Sequence, residues 1–195
     1  MAGTYDADAL YPLAHWIYEL WNLYNTKDEN NNSDKKSQEL AKARFAREYH
    51  RFFDKDFIMA YFLITETLLM VDSRVKNMMI ATWGKSEKLD EYDKVIDLDE
   101  NYKPILSKEK GQSREYKWYP IFYDMDTMLG LNNEGKQVYE YHTMDTDGPT
   151  IYNGEEALWV LFRESLQPEI KDAYNSFERT GMWYAQNILT YFNTL

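Results

Sequence analysis

Two short stretches carry side chains suited to one kind of chemistry. The first is Asp72-Ser-Arg-Val-Lys-Asn77, a carboxylate and a carboxamide in an Asp-x-x-x-x-Asn spacing. The second is Asp124-Met-Asp126, two carboxylates at i and i+2. Oxygen ligands of this sort suit a hard divalent cation such as magnesium. Phosphoryl transfer asks for such a set: one carboxylate to orient or deprotonate the attacking hydroxyl, and a further carboxylate and amide to hold the magnesium that screens the phosphates. A surface turn places Asp at the same positions, so the spacing alone leaves both readings open.

The elements around these stretches decide whether they can meet. Trp118 to Tyr123 is aromatic and β-branched and reads as a buried strand that delivers Asp124 and Asp126 at its end. Met78 to Trp83 reads as a strand leaving the first stretch. Before it, Phe57 to about Val71 is apolar nearly all round, the pattern of a helix at the centre of a core, with a cap at Asp54 or Asp56. Glu66 interrupts that helix, and a carboxylate in so apolar a place needs a partner, for which Arg74 is the candidate.

Two more helices precede it. Leu10, Leu13, Ile17, Leu20, Trp21 and Tyr24 recur at spacings of three and four over Asp8 to Tyr24, with His15 and Trp16 read as packing residues. Asn25 to Asp34 is a polar loop. Ser33 or Ser37 then caps a helix to about Phe53, with Leu40, Ala43, Ala46, Tyr49 and Phe53 inward. Its Arg44, Arg47 and Arg51 form a basic stripe, read as a solvated face or as a meeting point for phosphate.

Residues 84–115 are charged and read as an exposed insertion or hairpin within a single domain spanning 1–195. Asn132 to Gly135 is a turn into a strand over Lys136 to Tyr141, and His142 to Asn153 is a loop whose His142 and Asp145 could add ligands. Helices follow at Glu155 to Leu166, Pro168 to Thr180 and Met182 to Phe192, with Pro168 in a first turn and Gly181 at a stop. The fold class expected is α+β, mostly helical, with a small antiparallel hairpin carrying both polar clusters to one cleft.

Composition narrows the partners. The 195 residues are 44% apolar and 16% aromatic, which suits a folded domain. A net charge of -11 argues against nucleic acid or anionic lipid as the main partner. Without cysteine there is neither disulfide nor zinc-thiolate chemistry. The amino terminus lacks the basic and apolar regions of a signal peptide, and no apolar run is long enough to cross a bilayer.

With these elements in place, the sequence resembles the CotH family of spore-coat protein kinases, an atypical branch of the kinase fold. The resemblance rests on Tyr61 to Asn77 and on Trp118 to Asp126. It is closer to CotH-like segments of bacteriophage tail and virion proteins, on Val71 to Asn77, Phe122 to Thr127, Gly130 to Gly135 and Asn153-Gly before Ala157-Leu-Trp159. The resemblance implies the larger, C-terminal lobe of a kinase-like fold. It implies Asp72 as catalytic base, Asn77 and Asp124 as magnesium ligands and cofactor-binding residues, Asp126 as a helper at the metal, and ATP with magnesium as the cofactors.

The kinship has departures. No glycine-rich phosphate loop precedes the core helix, the residues before it read as helices, and residues 84–115 would be an insertion between paired strands. Two functions are therefore expected. The first is a structural, assembly or binding module of a phage virion, with exposed aromatic candidates Tyr18, Tyr24, Tyr92, Tyr152 and Tyr174. Its partners would be other virion proteins or the rest of a longer polypeptide, its location the virion or the bacterial cytoplasm. The second is a magnesium-dependent phosphotransferase. A nucleotide-sugar transferase also uses Asp-x-Asp at a strand end, but needs alternating strands and helices ahead of it.

Overall fold

A computed structural model describes residues 7–70, 72–75, 78–131, 134–136 and 156–181. The described elements are predominantly helical, with three small antiparallel strand pairs, a mixed α+β arrangement. The chain divides into two compact units, Met1–Ser165 and Leu166–Leu195.

The first unit opens with α1 (Ala7–Tyr24) and α2 (Lys35–Glu48). Of the expected α1 stripe, Leu13 and Leu20 are buried and Leu10, Ile17, Trp21 and Tyr24 half-buried, while Ala9 and Trp16 complete the buried face. His15 is the exception to the sequence reading. It is exposed, with its ring against Tyr11 and its Nδ1 3.8 Å from Glu19. The cap of α2 is Asp34, whose carboxylate accepts from the Lys36 and Ser37 amides, rather than either serine. Tyr49 and Phe53, just beyond α2, are buried as expected, but within the helix the buried residues are Ala41, Phe45 and Glu48 rather than Leu40, Ala43 and Ala46. Phe45 is the reason: its ring stacks on Trp16 at 5.1 Å and meets Phe162 edge-on at 6.3 Å.

Next comes α3 (Lys55–Thr67), capped by Asp54 through the Phe57 amide. Ile58, Tyr61, Phe62, Leu63 and Thr65 are buried. The Thr65 hydroxyl is satisfied within the helix by the Tyr61 and Phe62 carbonyls. The helix stops at Thr67, short of Val71, because Leu69 turns into the left-handed region at φ 48°. The short helix α4 (Asp72–Val75) follows where the sequence suggested a loop.

Residues 79–121 form one nested antiparallel ribbon. β1 (Met79–Lys85) pairs β6 (Tyr116–Ile121), β2 (Asp90–Tyr92) pairs β5 (Gly111–Ser113), and β3 (Val95–Leu98) pairs β4 (Pro104–Leu106). The first pair breaks register after Thr82, where Gly84 takes φ 114°, a conformation that glycine adopts without penalty. The far end of the ribbon lies along α2, with Val95 and Leu98 buried and Lys36 3.0 Å from Asp97. Helix α5 (Ala157–Ser165) closes the core with Leu158, Trp159, Leu161 and Phe162.

In the second unit, α6 (Gln167–Arg179) starts with Pro168 in its first turn and ends before Gly181 at φ 69°. The strand expected over 136–141 and the helix over 182–192 lie outside the described residues, apart from Lys136. No described helix is long and apolar enough to cross a membrane.

Candidate functional site

The pairing of β1 with β6 decides where the two acidic stretches stand. Met79 is the register partner of Ile121, so the residue that opens β1 and the residue that closes β6 lie at the same end of the ribbon. The chain enters that end from Asp72–Val75 and leaves it through Phe122 to Asp126. Helix α4 accordingly lies against the 3₁₀ turn Met125–Gly130.

One side chain ties both sides together. The Tyr61 hydroxyl donates to the carbonyl of Ser73, next to Asp72, at 2.9 Å. The Tyr61 ring also packs on Phe122, two residues before Asp124, at 4.7 Å, and stacks on Trp159 at 5.5 Å. Burial pushes the Tyr61 phenol up to about 12, with the Arg74 cation and the bond to Ser73 acting the other way. It is thus a fixed donor at neutral pH. A second tie runs from the Leu129 amide to the Leu68 carbonyl at 2.6 Å, joining the turn after Asp126 to the end of α3.

The partner required by Glu66 is the expected one. Arg74 Nη2 bonds Glu66 Oε2, with the arginine side chain 1% exposed and the glutamate 26%. The guanidinium also lies over the Phe62 ring at 4.9 Å. This pair ties α4 to α3, two residues from Asp72.

The backbone here is strained. Leu69, Asp124 and Leu129 all have positive φ, at 48°, 51° and 60°. For side chains with a Cβ this region costs about 1–2 kcal/mol each. Such outliers persist where surrounding contacts hold them, and they gather at binding and catalytic sites. Asp124 and Asp126 are exposed and Asp72 is half-buried, so the carboxylates stand at the surface of this end rather than inside the core.

Asn77, His142, Asp145 and Tyr152 lie outside the described residues. Among the described residues no group of three or more His, Asp or Glu could hold a metal ion. Asp72, Asp124 and Asp126 thus lie at one end of the ribbon without forming such a group.

The arginine stripe of α2 is engaged with protein carboxylates rather than presented to a phosphate. Arg44 and Arg51 flank buried Glu48 at 3.6 Å each, and Glu48 also accepts from the Trp16 indole at 2.8 Å. Arg47 meets Asp93 at 3.2 Å. Arg51 is sandwiched further, 4.9 Å from the Phe52 ring and 4.7 Å from the Tyr92 ring. Tyr92 is consequently half-buried rather than a free surface aromatic, and Tyr24 is half-buried too, whereas Tyr18 and Tyr174 are exposed.

Sequence reasoning missed a different surface. Met79, Ile121, Tyr123, Met125 and Leu129 are exposed by 40–57%, and all belong to the acidic end of the ribbon. On the same face as the Met79–Ile121 pair, Ala81 opposes Tyr119, and exposed Phe57 meets the Tyr119 ring edge-on at 5.3 Å. Further along β1, Trp83 is 92% exposed. Strand alternation in Met78 to Trp83 contained the signal, since Met79, Ala81 and Trp83 share one face. No family model, curated protein or solved structure matches this chain.

Proposed function

We propose that the chain is a CotH-kinase-like domain working as a structural or assembly module of a bacteriophage virion, its working face being the acidic end of the β1–β6 ribbon. The observation that supports this reading is the apolar collar around that end. Exposed apolar surface gathered in one place marks interaction sites, and here exposed Met79, Ile121, Tyr123, Met125 and Leu129 belong to the same end of the ribbon as exposed Asp124 and Asp126. The helices α1 and α2 fit the same reading, since neither is a glycine-rich cover for a nucleotide. Its partners would be other virion chains or further parts of a longer polypeptide.

The test is co-sedimentation of the purified chain with the other proteins of the particle. A stable complex that survives loss of Asp72 and Asp124, but is weakened at least tenfold by Met79→Lys with Ile121→Lys, is the expected result. A complex indifferent to the apolar collar would overturn it.

A second reading has its own support. The shared end of Asp72 and Asp124 favours a divalent-cation site, with Asp72 as base and Asn77 and Asp124 as ligands in a magnesium-dependent phosphotransferase. ATP with magnesium should then raise the melting temperature, and Asp124→Ala should remove the rise.

A further inference from the structure

The edge of β1 away from β6, which no described strand covers, borders a cavity that the acidic end does not use. Trp118 donates its amide to the Phe52 carbonyl at 2.7 Å, away from β1. The Thr82–Trp118 pair is therefore a non-hydrogen-bonded one, and antiparallel alternation makes Ile80–Pro120 another. Proline sits there without loss, because its missing N–H would point away from the ladder. On β1 the consequence is the reverse. Ile80 and Thr82 turn their N–H and C=O groups to the outer edge, where no described strand pairs with them.

Beside Ile80 lies a cavity of about 370 Å³. Leu10, Ala14 and Ile17 of α1 line one side, buried Phe53 and Leu158 another, and the exposed acidic residue Glu156 also borders it. That volume is at the small end for a ligand pocket and suits one or two large side chains. A strand edge that no described strand covers and an apolar hole within a residue of each other are the two halves of strand addition, in which main-chain bonds give affinity and a side-chain pocket gives specificity.

We infer that this groove docks an extended segment of a partner protein, added antiparallel or parallel to β1, with one large apolar side chain in the cavity and a lysine or arginine beside it facing Glu156. The basic neighbour follows from that carboxylate and from the net charge of -11, which also disfavours a second copy of this chain. The site is independent of Asp72 and Asp124 and stands whether or not the acidic end binds a cation.

The experiment is a fluorescence titration of the chain with a panel of octapeptides alternating Val and Thr. Each carries a central Phe, Leu, Met or Ala next to Lys or Glu. Peptides with a large apolar centre and Lys should bind at least tenfold tighter than those with Ala or Glu. Methylating the backbone amides on alternate residues should abolish binding in one of the two registers only. Ala14 is exposed, so Ala14→Trp fills the cavity from its rim without touching the core, and it should cost at least tenfold while leaving the circular dichroism unchanged. Asp72→Ala with Asp124→Ala should leave binding intact, which separates this groove from the acidic end. The inference is overturned if no peptide exceeds its Ala-centred control, if Ala14→Trp or amide methylation has no effect, or if the chain forms a dimer that Ala14→Trp dissolves.

Discussion

Replacing Tyr61 with phenylalanine removes one oxygen from the centre of the site and leaves the ring in place. Tyr61 and Ser73 are 1% and 2% exposed, so the Ser73 carbonyl would lose its donor where water does not reach. The stacking on Phe122 and Trp159 persists, so the apolar contribution is unchanged. What remains is a lost hydrogen bond and an unsatisfied buried carbonyl, together about 1–2 kcal/mol. For a chain of this size that is a fall in melting temperature of about 2–8 °C. The alkaline limb gives a sharper signature. Burial raises the phenol from 10.0 to about 12, so the folded state holds this proton more tightly than the unfolded one. Its contribution is therefore complete below pH 10 and is lost as pH rises towards 12, at about 1.4 kcal/mol per pH unit for one proton. Urea denaturation followed by tryptophan fluorescence at pH 8, 10 and 11.5 should show the gap between the native chain and Tyr61→Phe closing as pH rises. A variant as stable as the parent at pH 8, or a gap that stays constant to pH 11.5, would refute the role given to this hydroxyl.

Glu48→Ala strands the Trp16 indole and two arginines, and should cost about 2–4 kcal/mol in urea denaturation, with Glu48→Gln milder because it keeps an acceptor for the indole. Glu66→Gln leaves Arg74 facing a neutral partner in the core and should cost about 2 kcal/mol by the same measurement. Asp54→Ala removes the cap of α3 and should lower stability by about 1 kcal/mol. Trp83→Ala, at a fully solvated position, should change stability by less than about 0.5 kcal/mol, so any loss of partner binding on pull-down reports the surface itself.

Much of the fold was legible where one force dominated. The α1 stripe, the Asp54 cap and the apolar run through Tyr61 and Phe62 each follow from local chemistry, as does the demand of Glu66 for a cation. Reading failed where a distant partner decided the outcome. The face of α2 is set by Phe45 meeting Trp16 and Phe162, which no window around α2 contains. The arginine stripe is spent on Glu48 and on Asp93, far along the chain in the ribbon. Residues 84–115 carry the charge of an exposed hairpin, yet Val95 and Leu98 are buried. At the candidate site, motif spacing singled out Asp72 and Asp124 and the strand pattern anticipated a hairpin that brings their stretches together, while the β1–β6 register and the Tyr61 ties are encoded in no motif.

Both readings rest on one geometric claim, that the β1–β6 register brings Asp72 and Asp124 to the same end of the ribbon, and a cation shared between them would report it. Calorimetric titration of magnesium into the native chain, Asp72→Ala, Asp124→Ala and the double variant tests it most directly. A shared site predicts that either single substitution removes the same binding heat and that the double variant loses no more, the non-additivity of groups acting as a unit. Independent, additive losses, or binding heat unchanged in all three variants, would contradict it.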